Sequence, residues 1–378
     1  MNAQQLQEQI LKSPLVAIMQ QAIDDGAADV HIKANLPPMF VVNGRVLPMK
    51  GCPPLPNEGV IKLMYSVLPP EKQKQFEENL EVDTSFAVPG LARFRVNLFH
   101  SDHTCAAVIR IIPPNIRSVE QLGLPPAIKK VVLERQGLFL VTGPTGSGKT
   151  TTLAALIDYY NTNRSGHIVT VEDPIEVIHP HKGCVISQRE VGEDTRNFTV
   201  AIKSALRQAP NIILVGELRD RETIELAMKA AETGHMVFST LHTNDAVQTI
   251  YRVINAFPPH EQEPIRLQLA NSLKGCLAQR LVPRCDRPGR VPAIDLLICT
   301  ATARDAILKN EIEKLYEVEK QGALEGMQSM NMSLLNHFKA GVVDFDTAMS
   351  YSENQAELIQ MLRSHVRTMT GASTATAK

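Results

Sequence analysis

The chain contains no tryptophan, and aromatic residues make up only 4% of it. Proteins that hold single-stranded nucleic acids stack the bases on exposed aromatic rings, so such a role is not expected here. Positive charge is not in excess either, because 39 lysines and arginines face 40 aspartates and glutamates and leave a net charge of −1. The composition therefore lacks the electrostatic footprint of a protein that binds nucleic acid or coats a membrane.

The six cysteines are dispersed and form no C-x-x-C pair, which argues against a zinc site and against a disulfide framework. No apolar run approaches the about 20 residues that span a bilayer. The first residues, MNAQQLQEQILK, lack the basic and apolar regions of a signal peptide. We expect a protein of the reducing cytoplasm that does not insert into a membrane and reaches one only by binding something already there.

Residues 143–151 read GPTGSGKTT and match G-x-x-x-x-G-K-[ST] at every fixed position. An apolar run precedes them, and a helical pattern with Leu153, Leu156 and Ile157 on one face follows. This order is typical of a loop whose backbone N–H groups surround phosphate oxygens at a helix N-terminus, with a lysine for the phosphates and a threonine for Mg²⁺. The predicted nucleotide-binding residues are Gly143, Pro144, Thr145, Gly146, Ser147, Gly148, Lys149, Thr150 and Thr151.

Carboxylates follow two further apolar runs. Residues 211–216 lead to Glu217, which we expect at the end of a strand near Mg²⁺, directly or through water. Residues 169–171 lead to a second group of carboxylates. This group could instead be a polar turn at the end of a strand that Pro174 stops. Hydrolysis needs a base or a positioning group for the attacking water. The candidates in the second group are Glu172, Asp173 and Glu176.

His235 and His242 bracket residues 236–241, an apolar stretch typical of an inner strand. Seven residues along a strand is not a usual spacing for metal ligands. Two interpretations stay open, polar residues without a catalytic role and a pair that senses the γ-phosphate. His179 and His181 have no partner that the sequence identifies, and we expect them in a loop.

The first 112 residues predict a small α+β domain with an antiparallel sheet. Its helices are expected over 3–25, 57–67 and 70–79, and its strands over 28–32, 40–47 with a turn at Asn43-Gly44, 81–88, 91–99 and 106–112. Along residues 92–99, apolar side chains alternate with polar ones, which is the period of a strand with one buried face. By themselves the polar residues Arg93 and Arg95, like Arg110 on the next strand, are typical of a solvated outer face.

Pro113-Pro114 predicts a linker over residues 113–117. Alternating strands and helices follow, which is typical of an α/β domain with a mainly parallel sheet. Beyond residue 258 the pattern is mostly helical, including 261–280 and 302–319, apart from an apolar run at 293–298. We predict domains over residues 1–112 and 118–365, and a disordered tail of small and polar residues over 366–378.

Five blocks then resemble the secretion ATPases of the type IV pilus and type II secretion class: GPTGSGKTT (143–151), EDPIE (172–176), SQREVG (187–192), NIILVGELRD (211–220) and AETGHMVFSTLHTND (231–245). They include the family's Walker A, Asp box, Walker B and His box in order. The resemblance implies an α/β fold in which an N-terminal PAS-like α+β domain precedes a RecA-like P-loop ATPase domain with a helical C-terminal region. It also implies ATP and Mg²⁺ as cofactors and assembly into homohexameric rings.

The resemblance assigns roles residue by residue. Lys149 and Thr150 match the Walker A residues for phosphate and Mg²⁺, Glu176 matches the Asp-box catalytic glutamate, and Glu217 matches the Walker B acid. The family's cations approach the phosphates from the N-terminal domain, which favours a role in stabilising transition-state charge for the arginines in those places. The implied catalytic set is Glu176, Glu217, Arg93, Arg95, Arg110, His235 and His242, and the implied metal ligands are Thr150 and Glu217.

Within this family the chain looks like a retraction ATPase, because the four-cysteine zinc insertion and the longer N-terminal region of assembly and type II secretion members are missing. Several segments look closer to the PilU type than to the PilT type, and residues 306–312 read AILKNEI without either arginine of the PilT-type A-I-R-N-L-I-R element. This implies a motor for pilus retraction and twitching motility at the cytoplasmic side of the inner membrane. Its expected partners are a PilT-type motor and an inner-membrane pilus platform protein.

Three alternatives stay open at this stage. The chain could be a pilus assembly or type II secretion ATPase of the same fold. It could be a RecA-like nucleic-acid translocase, against which the charge balance and the scarcity of aromatic residues argue. It could also be a nucleotide-binding scaffold without turnover, which would bind ATP and release no phosphate.

Overall fold

The computed structural model describes residues 3–42, 44–112 and 115–363, and these residues form two compact units. The first unit contains the described residues up to Asn115 together with the short segment Glu176–Ile178. The second contains Ile116–Ile175 and the described residues from His179 onward. The sequence does not predict that Glu176–Ile178 groups with the first unit.

Three sequence predictions fall wholly or partly outside the described residues. The proline pair Pro113-Pro114 of the predicted linker is one of them, and Asn43 of the predicted hairpin turn is another. The third is the tail over residues 366–378.

The first unit is an α+β arrangement built on an antiparallel sheet, as the sequence predicts. Its described strands are β1 (Asp29–Lys33), β2 (Met39–Val42), β3 (Arg45–Pro48), β4 (Glu81–Val88), β5 (Ala92–Ser101) and β6 (Thr104–Ile112). They form a six-stranded sheet in the order β3-β2-β1-β6-β5-β4. The described helices are α1 (Ala3–Leu11), α2 (Pro14–Asp24), α3 (Asn57–Tyr65) and α4 (Pro70–Asn79).

The single helix predicted over residues 3–25 is wrong, because α1 and α2 are separate. Ser13 stands between them with an extended backbone and accepts a hydrogen bond from the backbone N–H of Leu15 at 3.1 Å. Pro14 occupies the first turn of α2, where its missing N–H is not needed. A serine cap followed by proline therefore ends the first helix and starts the second, although the apolar spacing continues through both.

Strand β5 has the predicted alternation. Phe94, Val96 and Leu98 are fully buried in the core of the first unit, whereas Arg93 and Arg95 are half-buried on the opposite face. Arg95 pairs directly with Arg110 of β6, so these two arginines share one face of the sheet.

The second unit is built on a mainly parallel sheet. Its described strands are β7 (Gly137–Thr142), β8 (Gly166–Glu172), β9 (Cys184–Glu190), β10 (Ile212–Val215), β11 (Met236–Leu241), β12 (Leu273–Pro283) and β13 (Arg290–Ile298). The seven-stranded order is β13-β12-β7-β11-β10-β8-β9, and only the β12–β13 pair is antiparallel.

Helices cover both faces of this sheet. They are α5 (Ile128–Val132), α6 (Lys149–Asn163), α7 (Phe198–Ala205), α8 (Arg221–Glu232), α9 (Ala246–Asn255), α10 (Gln262–Ser272), α11 (Ala301–Leu308), α12 (Leu315–Gln321), α13 (Met330–Lys339), α14 (Phe345–Tyr351) and α15 (355–363). Leu138 and Leu140 of β7 enter one core, and Phe139 and Val141 enter another. Two buried faces explain why the inner strands read as continuous apolar runs.

The predicted helix over residues 261–280 is wrong in its second half. Helix α10 ends at Ser272, and the chain continues as β12 between β7 and β13. At Gly275 a Cβ atom would lie only 2.7 Å from the carbonyl oxygen of Leu297, so the close strand pairing requires glycine there. The leucines, alanine and valine of this stretch suit a helix as well as a strand, and pairing with two neighbours decides the outcome.

The predicted helix over residues 302–319 is also two helices, α11 and α12. Between them Asn310 has a φ of 59°, in the left-handed region that ends a helix. A short 3₁₀ turn, Ile312–Lys314, then leads into α12. Among all described helices, none combines the length and the hydrophobicity that crossing a bilayer requires.

Candidate functional site

The phosphate-binding motif forms the turn between β7 and α6. Gly146 and Gly148 have φ angles of 78° and 90°, which glycine adopts without strain. At Gly143 a Cβ atom would lie 2.3 Å from the carbonyl oxygen of Gln279, so a side chain there would collide with β12. The motif glycines are therefore needed for the path of the loop as well as for access to its N–H groups.

The lysine of the motif lies over its own loop. Lys149 Nζ donates to the carbonyl oxygens of Gly143 at 2.8 Å and of Pro144 at 3.1 Å. Thr150 follows on the first turn of α6, half-buried, and its neighbour Thr151 is exposed. The predicted loop residues are thus brought together at the N-terminus of one helix, where the helix dipole favours an anion.

A buried glutamine that sequence reasoning missed holds this loop. Gln279 of β12 is 1% exposed. Its Nε2 donates to the carbonyl oxygen of Ser147 at 2.6 Å, and its Oε1 accepts from the hydroxyl of Thr152 at 2.7 Å. The only signal in the sequence is a polar residue inside the apolar run CLAQRLV, and the helix predicted for this segment hides its meaning.

Glu217 lies two residues beyond β10, at the carboxyl edge of the parallel sheet. One carboxylate oxygen pairs with the guanidinium of Arg219, and the other lies 3.5 Å from Nε2 of His242. The hydrogen bond from Arg219 is the main cause of a lowered pKa of Glu217, to which His242 adds. A lowered pKa favours the ionised form of this acid, which is the form that binds a cation.

Arg219 is the second residue that sequence reasoning missed. Its Nη1 lies 3.8 Å from Oδ2 of Asp173, so one guanidinium connects Asp173 to Glu217. Arg219 lies within the block NIILVGELRD, but its position in that block does not predict a contact with Asp173, which follows a different strand.

Glu172 differs from the other candidate acids because it is buried and accepts hydrogen bonds from two neighbouring side chains. It accepts hydrogen bonds from the hydroxyl of Thr170 at 2.7 Å and from Nε2 of Gln188 at 3.2 Å. These contacts favour a structural role at the end of β8 over the activation of water.

Glu176 and the three arginines lie in the first unit. Nη1 of Arg95 is 3.8 Å from Oε1 of Glu176, and both side chains are about one-third exposed, at 36% and 34%. Arg110 pairs with Asp29 at 2.9 Å, and Arg93 donates to the hydroxyl of Ser85 at 2.6 Å. The directly opposed Arg95 and Arg110 repel each other, and the two carboxylates offset that repulsion.

The two histidines of the His box lie at opposite ends of β11. His242 follows the strand and meets Glu217, whereas His235 precedes it and contacts the carbonyl oxygen of Ala230 at 3.0 Å. Six residues at about 3.3 Å each separate the two sheet edges by roughly 20 Å. One phosphate within this unit therefore cannot contact both, and the structure brings only His242 to the acidic edge.

The other two histidines lie in the loop before β9, as expected. Nδ1 of His179 is buried and has no hydrogen-bond partner in the described structure. His179 is buried, its backbone N–H donates to Gln188, and desolvation lowers its pKa to about 4. Nδ1 of His181 accepts from the backbone N–H of Ile186 at 3.1 Å.

No group of three or more histidine, cysteine, aspartate or glutamate side chains among the described residues could hold a metal ion by itself. Thr150 and Glu217 nevertheless offer a hydroxyl and a carboxylate, the hard oxygen donors that suit Mg²⁺. Mg²⁺ in nucleotide sites takes few protein ligands because phosphate oxygens and water complete its shell. The donor set at this edge fits such an ion.

Comparisons with known proteins agree with this chemistry. The family model described as "Type II/IV secretion system protein" matches residues 4–376. The chain is 46% identical to the type IV pilus retraction ATPase PilT of Pseudomonas aeruginosa over 323 residues, which cover 85% of this chain and 93% of the relative. It is 39% identical to the type IV pilus ATPase PilU of the same species over 346 residues, which cover 92% of this chain and 90% of that relative.

The fold of the chain also matches that of a solved pilus motor structure. The crystal structure of the pilus retraction motor PilT with bound ADP matches with a TM-score of 0.86 and 43% identity, covering 92% of this chain and 99% of that one. The chain thus shares its fold with a pilus retraction motor that was crystallised with ADP. Sequence identity is higher with PilT, whereas the alignment with PilU covers more of this chain. Assignment to the PilU type therefore stays a prediction.

Proposed function

Because this chain belongs to the type II/IV secretion system protein family, we propose that it is an ATP-hydrolysing motor that powers the retraction of type IV pili. One observation carries the proposal. The phosphate-binding loop, Glu217 and His242 follow three neighbouring strands of one parallel sheet, in a chain that has the fold of a pilus retraction motor. Ligands of open α/β sheets bind at this carboxyl edge of the strands.

The nucleotide phosphates bind the loop between β7 and α6. The N–H groups of the loop and the dipole of α6 attract them, and Lys149 moves from its own loop carbonyls to the β and γ phosphates. Thr150 and Glu217 would hold Mg²⁺, and the ion would supply positive charge that offsets negative charge on the phosphates. Arg219 and His242 fix the carboxylate of Glu217 from two sides.

Glu176 is the proposed base for the attacking water. In support, its carboxylate is accessible to water, whereas that of Glu172 is buried in hydrogen bonds. Arg93, Arg95 and Arg110 are proposed to stabilise charge in the transition state, because a guanidinium offers several donors in a planar fork that matches phosphate oxygens. We leave His235 out of the phosphate contacts because it lies at the far edge of the sheet.

The wider assembly is proposed from family membership. Six copies form a ring in which the PAS-like N-terminal domain and the RecA-like ATPase domain move against each other during hydrolysis. The ring works in the cytoplasm at the base of the pilus, on an inner-membrane platform protein. The division of the described residues into two units supports the two-domain part of this proposal.

We further propose a PilU-type motor that works with a PilT-type partner. The support is the segment at the end of α11 and just beyond it, where Leu308 and Ile312 stand in place of the two arginines of the PilT-type element. The remaining cation, Lys309, pairs with Asp305 at 2.7 Å on its own helix. Imaging labelled pili in cells whose only retraction ATPase is this chain tests the point, since unaided retraction would overturn the need for a partner.

Purified protein distinguishes the proposed function from its alternatives. Phosphate release from ATP with Mg²⁺ is expected, without stimulation by single-stranded DNA and without retention of that DNA on a filter. ATP binding without phosphate release would instead show a scaffold, and DNA-stimulated hydrolysis would show a translocase. Restored pilus assembly in cells that lack their assembly ATPase would show an assembly motor.

A further inference from the structure

The side chain of Gln279 connects the end of the phosphate-binding loop to the first turns of α6. Its Nε2 donates to the carbonyl oxygen of Ser147, and its Oε1 accepts from the hydroxyl of Thr152. Gln279, Ser147 and Thr152 are 1%, 4% and 3% exposed. Both hydrogen bonds are therefore shielded from water. In the protein interior a hydrogen bond is stronger than at the surface, and the loss of one partner destabilises the protein more.

The chemistry of the three groups allows only one direction for these bonds. The carbonyl of Ser147 can only accept, so the amide nitrogen of Gln279 must face it. The amide oxygen then faces Thr152, whose hydroxyl must donate. Thr152 thus selects the orientation of the amide, and the amide selects the orientation of the Ser147 carbonyl.

That carbonyl shares a peptide unit with the N–H of Gly148. The peptide is planar and trans, so its C=O and N–H point in opposite directions. Holding the Ser147 oxygen against the buried glutamine turns the Gly148 N–H away from β12. The left-handed φ of 90° at Gly148, which begins α6, completes this geometry. The N–H of Gly148 is one of those that the motif uses to surround a phosphate.

The backbone of β12 restricts the other end of the loop. A Cβ atom on Gly143 would lie 2.3 Å from the carbonyl oxygen of Gln279, and one on Gly148 would lie 3.1 Å from its Nε2. The same glutamine therefore leaves no room for a side chain at either the first or the last glycine of the loop.

We propose that Gln279 is a positioning residue of the ATPase site, which holds the Ser147–Gly148 peptide with its N–H directed to the nucleotide phosphates. It acts through the loop backbone and does not touch the nucleotide. The inference rests on the proposed function only in that this loop binds ATP and ADP.

Direct binding of ADP with Mg²⁺ to the full chain tests the inference. Gln279→Met keeps the length of the side chain and removes both bonds, and the Kd should rise about tenfold, the size of effect expected from a buried hydrogen bond. Thr152→Val removes only the hydroxyl that orients the amide, and a rise of about threefold is expected. The double variant should bind no more weakly than Gln279→Met, because the hydroxyl acts only through the amide. In hydrolysis, KM should rise more than kcat falls.

Asn161→Leu is the matched control. Asn161 is a fully buried amide at the other end of α6 that bonds the backbone of Pro180 and Cys184. Asn161→Leu should lower thermal stability at least as much as Gln279→Met does and leave the Kd for ADP unchanged.

The inference is overturned if Gln279→Met binds ADP within about twofold of the wild type, or if Asn161→Leu weakens binding equally. If Gln279→Met does not fold, an unchanged Kd for Thr152→Val overturns it. A wild-type chain that binds no ADP contradicts the proposed function instead.

Discussion

Oε2 of Glu217 lies 3.5 Å from Nε2 of His242, and each residue follows its own strand of the parallel sheet. The strands β10 and β11 are neighbours, which places the acid and the imidazole side by side at the edge where the phosphate-binding loop begins. Arg219 binds the other oxygen of the same carboxylate. The Walker B acid is thus held from two directions, and this relationship leads to the first prediction.

Arg219→Gln should lower kcat/KM for ATP hydrolysis about tenfold, because Glu217 loses the hydrogen bond that fixes its side chain. Thermal stability should hardly change, since the arginine is 60% exposed and an exposed ion pair contributes little. Arg221→Gln is the matched control, because Arg221 pairs with Glu261 instead of Glu217 and has a similar exposure. Equal activity losses in the two variants would contradict a specific role for Arg219.

Lys149→Ala should weaken binding of both ATP and ADP as well as turnover. The lysine offers its charge to the phosphates in the ground state, so its loss affects Kd. It binds them more strongly in the transition state, so its loss also affects kcat. Equilibrium titration with a fluorescent ADP derivative measures the first effect, and phosphate release measures the second. Lys203→Ala, which removes an exposed partner of Glu222, serves as the control. Normal turnover in Lys149→Ala would refute the assignment of the loop.

Glu176→Gln should leave ATP binding nearly intact and slow hydrolysis about 100-fold or more, as the loss of a general base does. Glu172→Gln should act differently, because its carboxylate accepts bonds from Thr170 and Gln188 inside the protein. We expect that variant to unfold at a lower temperature while the folded fraction keeps its turnover. If Glu172→Gln instead abolishes turnover at unchanged stability, the base lies at the end of β8.

The sequence predicts best the features whose signals are local. The glycines of the loop, the apolar run that ends at Glu217 and the alternation along β5 each need only a few neighbouring residues to be recognised. Their elements lie where they are predicted, and the polar and apolar faces of β5 are confirmed.

The features that the sequence did not predict depend on partners distant in the chain. Gln279 is placed at the loop by strand pairing of β12 with β7, and a helical pattern fits the same letters. Arg219 reaches Asp173 only because β8 and β10 are adjacent in the sheet. His235 and His242 read as a pair, but a strand puts its two ends at opposite edges.

Buried acids in the C-terminal part of the second unit give a prediction about pH. Asp295 and Glu319 are 4% and 2% exposed, and in the described structure Oδ1 of the first and Oε1 of the second have no hydrogen-bond partner. Burial, and then repulsion by neighbouring acids, raises the pKa of both. The charged and titratable groups around them are Asp245, Arg280, Tyr316, Lys320, Glu353 and Glu357.

A raised carboxyl pKa means that the folded protein keeps a proton which the unfolded chain has already lost. The free energy of unfolding should therefore fall as pH rises above the ordinary pKa of glutamate, by up to about 1.4 kcal/mol per pH unit for each such proton. Glu319→Gln should make this slope less steep. The variant should therefore gain stability over the wild type at pH 8, compared with the difference between the two at pH 5. Urea unfolding at several pH values measures both curves, and parallel curves would contradict the prediction.

Pilus retraction under load tests the central claim most directly. Labelled pili are imaged on cells that contain a PilT-type partner and either the wild-type chain or its Lys149→Ala variant, and retraction force is measured with a bead held in an optical trap. The account predicts that pili assemble in both strains and that the variant retracts them with less force. Equal force in the two strains, or loss of pilus assembly in the variant, would contradict a retraction motor driven by ATP hydrolysis in this chain.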